Sequence, residues 1–176
     1  RAFSFDLRGK SLNLVKMSDF LNMSNHLKDK KVFLMFESDP QETILSFIDL
    51  LKKTSIHFHF VQSGDHHTLN ELGLSYDWVF DDTSDWETIL SHQNLRGLWL
   101  PLKYKNLYEH MPLFWKKIEE KKLDVTLYAE NFSEAEDVDL STGPSLCVGL
   151  TSEVESSYRK IDIEKLENLR FWEKIS

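Results

Sequence analysis

Carboxylates gather in this chain where short apolar runs stop. Glu37 follows Val32 to Phe36, Asp6 lies near the end of Phe3 to Leu7, Asp81 and Asp82 follow Asp77 to Phe80, and Glu130 follows Val125 to Ala129. Carboxylate oxygens at strand ends are the donors a hard divalent cation takes, which makes Glu37 and Asp6 candidate ligands for Ca2+ or Mg2+. Gln62, Ser63, Lys103, Asn131, Thr151 and Ser152 fall at equivalent places, and Lys103 and Glu130 are candidate ligand-binding residues. Polar residues fill strand-end loops in any fold, so each also has a plain reading as a solvated loop residue. His57 and His59 lie two apart, hence on one face of a strand, with His66 and His67 in the loop that follows. That spacing suits a paired imidazole ligand set, so both are candidate ligand-binding residues; without a third ligand, hydrogen-bonded strand histidines are the stronger reading. No glycine-rich phosphate loop, GxSxG elbow or HExxH motif is present.

Positioning such residues requires repeated strand and helix units, and Lys31 to Val61 holds one whole unit. Val32 to Phe36 is continuously apolar, as a strand covered on both faces is. Ser38 or Asp39 can cap a helix and Pro40 suits its first position, so a helix starts near Gln41. Ile44, Leu45, Phe47, Ile48 and Leu51 then form its apolar face, and Ile56 to Val61 alternates as the next strand. The unit recurs. Leu69 to Leu72 reads as a short helix ended by Gly73; Asp77 to Phe80 is a strand, followed by a helix through Trp86, Ile89 and Leu90 capped by Ser84 or Asp85. Gly97 to Leu100 is a strand before a helix over Leu107 to Ile118, whose start Pro112 can delay. Val125 to Ala129 precedes a short acidic helix capped by Ser133, Leu146 to Leu150 is the last clear strand, and Ile163 to Trp172 is a final helix. With Phe3 to Leu7 and a helix capped by Ser18, this makes seven strands, most with a helix behind them. The pattern predicts a parallel α/β fold, either a (β/α) TIM-type barrel or an open doubly wound sheet, with ligands at the carboxyl ends of the strands.

Composition bounds the partners. A chain of 176 residues, 41% hydrophobic with 6 Gly and 4 Pro, suits one domain with one sizeable core. The net charge of -8, from 29 acids against 21 bases, argues against a nucleic-acid partner. No apolar run is long enough to span a membrane as a helix, and Arg1 to Leu7 has no signal-peptide pattern. The start on Arg1 suggests a piece of a longer protein. The single cysteine, Cys147, excludes an internal disulfide. Asn22-Met23-Ser24 and Asn131-Phe132-Ser133 fit the N-glycosylation pattern, and secreted or lumenal residence is favoured slightly over cytoplasmic.

From Phe3 to Glu153 the order of pieces resembles the glycerophosphodiester phosphodiesterase barrels and their phospholipase-C-like relatives. The segments that carry the likeness are Phe3 to Leu7, LVKMSDFL (Leu14 to Leu21), VFLMFES ending at Ser38, DVTLYAEN (Asp124 to Asn131) and CVGLTSE (Cys147 to Glu153). The resemblance implies the second to eighth barrel strands, with Glu37 in the place of the family's metal acid and Asp6 as a second; Ser4 replaces a further acid. The family's first strand, with its His and Arg, has no counterpart, and no histidine lies between Arg8 and Met17. Those two histidines are the family's acid and base, so the resemblance implies a pseudoenzyme: a degenerate, non-catalytic binding or interaction module, linked to lipid metabolism. Its partner would be a phosphodiester or lipid-derived ligand, or another protein. Menorin-type secreted proteins resemble it equally well. Two alternatives stay open. One is an active metal-dependent phosphodiester hydrolase completed upstream of Arg1. The other is a doubly wound receiver or small-molecule domain, with Asp81, Asp82 and Lys103 around one strand end.

Overall fold

A computed structural model describes residues 2–6, 22, 27, 30–64, 67–135, 138, 145–148, 155–157 and 160–161. Its main sheet has seven parallel strands lying side by side in chain order: β1 (Ala2–Asp6), β2 (Lys31–Phe36), β3 (His57–Ser63), β4 (Tyr76–Val79), β5 (Leu95–Pro101), β6 (Asp124–Ala129) and β7 (Ser145–Val148). The helices are α1 (Gln41–Leu51), α2 (Thr68–Glu71), α3 (Trp86–Ser91), α4 (Lys105–Tyr108), α5 (Pro112–Lys121) and α6 (Phe132–Ala135). A separate antiparallel pair joins β8 (Glu155–Ser157) to β9 (Lys160–Ile161). The unbroken order decides between the two architectures: a doubly wound sheet reverses at a switch point, whereas each strand here is added on the same side of the last, as in a TIM-type barrel. The receiver-like alternative falls with that order. The expected helices at Ser18 and Ile163 to Trp172, residues His66, Gly149, Leu150, Thr151 and Ser152, and the side chain of Asp6 lie outside the described residues.

Strand alternation sorts the side chains into two layers. One face of the sheet carries Val32, Leu34, Phe36, Phe60, Tyr76, Trp78, Leu98 and Leu100, which pack with Ile44, Phe47 and Leu51 of α1, Ile89 and Leu90 of α3 and Phe114 and Ile118 of α5. The other face carries Phe33, Met35, Val61, Val79, Trp99, Tyr128 and Cys147 as a second cluster. Leu45, expected on the apolar face of α1, is instead exposed, because the face that meets the sheet runs through Ile44, Phe47 and Leu51.

Several caps differ from the local expectation. Asp39 does not cap α1; its Oδ2 accepts from the Glu37 N–H at 3.0 Å and tightens the loop, leaving Pro40 as the cap residue. Asp85 does cap α3, accepting from Thr88 N at 3.2 Å. The helix expected over Leu107 to Ile118 is two helices, since Pro112 has no N–H to donate and begins α5 instead of continuing α4. Gly73, at φ 67°, and Lys122, at φ 56°, turn the chain after α2 and α5 in the left-handed region. No helix among the described residues is long and apolar enough to cross a membrane.

Candidate functional site

Parallel strands all deliver their carboxyl ends to one rim, and most of the residues singled out from the sequence gather there. Lys103 follows β5, Glu130 follows β6, and because those strands are neighbours the two side chains meet: Lys103 Nζ donates to Glu130 Oε1 at 2.6 Å. Both remain about half exposed, at 45% and 46%. The bond to Glu130 holds the Lys103 ammonium above the usual lysine range, so it stays charged while the two are paired. Lys103 also lies 5.1 Å from the centre of the Tyr104 ring. Beside this pair a cleft of about 280 Å3 is lined by Leu102, Lys103, Lys105, Glu134 and Val138.

The loop bearing Glu130 is held by a reciprocal cap. Asn131 Oδ1 accepts from Glu134 N at 3.0 Å, while Glu134 returns its carboxylate to Glu130 N at 2.8 Å and to Asn131 Nδ2 at 3.3 Å. This is capping-box logic, and it places the cap at Asn131, not at Ser133 as expected. The spacing of Asn131 and Glu134 was the signal for it. Asn131, a glycosylation candidate, thus spends its amide on the loop; Asn22, the other, is exposed.

At the adjoining part of the rim, Glu37 is half-buried, and its carbonyl accepts from the side-chain amide of buried Gln62. Ser63 Oγ donates to the Phe36 carbonyl at 3.2 Å, so β3 secures the loop after β2. Asp6 ends β1, level with Met35, on the strand beside Glu37. Asp81 closes its own turn, its Oδ1 accepting from Thr83 N and Oγ1 at 2.8 and 2.7 Å. Among the described residues, no three His, Cys, Asp or Glu side chains converge as a metal site would require, and no metal-dependent step is derived from Glu37 and Asp6. Cys147 sits on the sheet face that carries Trp99 and Tyr128, where burial pushes its thiol up to about 11 and keeps it protonated.

His57 and His59 are not at this rim. They open β3, so the strand direction places them at the amino ends, beside Lys31 and Phe33 of β2. There the structure builds something the sequence reading missed. Tyr76 pairs with Leu95 and Asp77 with Gly97, leaving Arg96 unopposed in a bulge. The extra residue re-aims the Arg96 side chain. Its Nε and Nη2 bond Asp77 Oδ1 at 3.0 and 2.8 Å, Nη2 also reaches Oδ2 at 2.9 Å, and Nη1 donates to His59 Nδ1. Trp99 Nε1 gives Asp77 Oδ2 a further donor at 3.2 Å. Burial first, and then the Arg96 charge, hold the His59 imidazole below its ordinary range, as a ring accepting from a guanidinium must be. An acid inside the apolar run Tyr76 to Phe80 was the one sequence signal for this cluster.

Gly97 makes room for it. A Cβ there would sit 2.9 Å from the Asp124 carbonyl and 3.0 Å from Asp77 Oδ1. Since the nearer atom is backbone, Gly97→Ala should destabilise the chain by about 1–3 kcal/mol, the usual loss on overpacking, as read from urea unfolding. An unchanged midpoint would show that β6 yields freely.

No protein-family model matches the chain, and no curated protein is significantly similar to it. A solved structure does match. It is phosphoribosyl anthranilate isomerase from Thermus thermophilus. The likeness has a TM-score of 0.68 at 18% identity and covers 99% of this chain and 88% of that one. At such identity the fold is what is shared with phosphoribosyl anthranilate isomerase. The match overturns the phosphodiesterase resemblance, together with the degenerate-phosphodiesterase, hydrolase, pseudoenzyme and lipid-metabolism readings drawn from it. The physical reason is plain: short apolar strands with polar carboxyl ends, spaced by helices, are common to parallel (β/α) barrels and cannot separate their families.

Proposed function

We propose that the chain is a small-molecule isomerase of the (β/α) barrel type, with Glu130 and Lys103 as its base and acid. An isomerase moves a proton between atoms of one substrate with no net exchange, so it needs a base and an acid within reach of one small molecule. The observation that carries the reading is the meeting of Lys103 and Glu130 at 2.6 Å on adjacent strand ends. A carboxylate there can take a proton from carbon while the ammonium supplies one to oxygen or nitrogen, and the substrate parts the two groups as it enters. Lys105, in the same cleft, adds a cation for an anionic substrate. The likeness to phosphoribosyl anthranilate isomerase supports the class and names the first substrate to try.

The assay is isomerisation of phosphoribosyl anthranilate by the whole chain, then by Glu130→Gln and Lys103→Met. Each substitution should lower kcat about 100-fold or more, the usual contribution of a positioned acid or base, with the fold intact by circular dichroism. Full turnover in both variants would remove the pair from the chemistry. No turnover by the unmodified chain would remove the substrate.

A further inference from the structure

Away from the rim, four elements meet at two histidines. His67 caps α2 and His92 caps the far end of α3, and their rings stand edge to face with centres 4.9 Å apart. From β4, buried Tyr76 places its hydroxyl 2.6 Å from His92 Nδ1. From the end of α5, Lys121 Nζ donates to the His92 carbonyl at 3.0 Å. His67 Nδ1 is itself buried with no hydrogen-bond partner among the described residues. Asp85, at the start of α3, is the acid whose field reaches His67, but it is exposed and its oxygens already accept from Thr88 N and Oγ1.

We propose that this His67–His92–Tyr76 junction is an acid-sensitive fastener, closed while the His92 imidazole is neutral and released when it is protonated. The chemistry runs in one direction. With the phenol as donor, His92 is the neutral Nε2–H tautomer. A proton on Nδ1 turns the acceptor into a donor, so the buried Tyr76 hydroxyl must redirect its own hydrogen, and a buried donor left unmet is destabilising. The new charge also faces His67 and the Lys121 ammonium, and Asp85 is too exposed to offset it. Consistent with this, burial first, then His67 and Lys121, hold the His92 imidazole below the ordinary histidine range.

The sign follows from that direction. A histidine whose folded value lies below its unfolded one binds more protons in the unfolded chain, so stability is full above the unfolded value, about 6.5, and is lost as pH falls below it.

The test is a titration of the His92 ring protons by NMR in the unmodified chain, with urea midpoints at about pH 7.5 and about pH 5.5, either side of the ordinary imidazole value. His92 should titrate below the ordinary range, and His67→Gln should move it back up. In His92→Asn the amide oxygen still accepts from Tyr76 but does not titrate, so the fall in midpoint should shrink, with the His59 share remaining. His110→Asn, at an exposed site, should keep the full fall. An ordinary titration of His92 in the native chain, or an undiminished fall in His92→Asn, overturns the proposal.

Discussion

Arg96→Met is expected to destabilise the fold by about 3–5 kcal/mol, the loss typical of breaking a buried ion pair from one side. Asp77 is 3% exposed and takes four of its contacts from Arg96 and Trp99, three of them from the guanidinium. Methionine keeps the apolar stem but leaves the carboxylate, whose side chain is 4% exposed, with one indole N–H. The desolvation of that charge is then uncompensated, and this accounts for most of the loss. The companion variant Arg96→Met with Asp77→Leu removes both charges and should recover most of the loss, since well-packed apolar replacements of buried pairs are often neutral. Urea unfolding of the two variants checks the pair. A loss under about 1 kcal/mol in the single variant would mean the surroundings solvate Asp77 by other means.

Phe114→Ala should bring a loss of similar size, about 3–5 kcal/mol, through a different mechanism: lost transfer energy and an unfilled cavity. The Phe114 ring is fully buried and meets Phe80, Trp86 and Trp115 edge on, at 5.5, 5.7 and 5.7 Å between centres. It therefore joins the end of β4, the start of α3 and the body of α5 in one aromatic cluster. Its neighbour Leu113 is 65% exposed, and Leu113→Ala should stay within about 0.5 kcal/mol. Thermal and urea midpoints of this adjacent pair make the comparison. Equal losses at the two positions would contradict the packing of α5 described above.

Much of the fold was legible because its signals are local. Val32 to Phe36 is apolar throughout and β2 is there; Asp85 precedes Trp86 and caps α3; Gly73 ends α2 with a positive φ. Lys103 and Glu130 were both placed at strand ends from the sequence. That they touch each other was not visible, because it depends on β5 and β6 being neighbours. Period-two spacing put His57 and His59 on one face, but chain direction puts them at the amino ends of the strands, opposite the rim. The assignment to phosphodiesterases failed for a related reason: it rested on the repeating pattern of the barrel, which many unrelated chemistries share.

What the amino-acid order determined alone was the alternation of parallel strands and helices, and hence a rim lined with polar ends, since periodicity and capping act within a dozen residues. The tertiary structure alone decided which rim residues meet, that Arg96 turns through a bulge onto Asp77, and that two histidines from different helices share one junction. Those pairings join residues far apart in the chain, and only strand order and register bring them within hydrogen-bond reach.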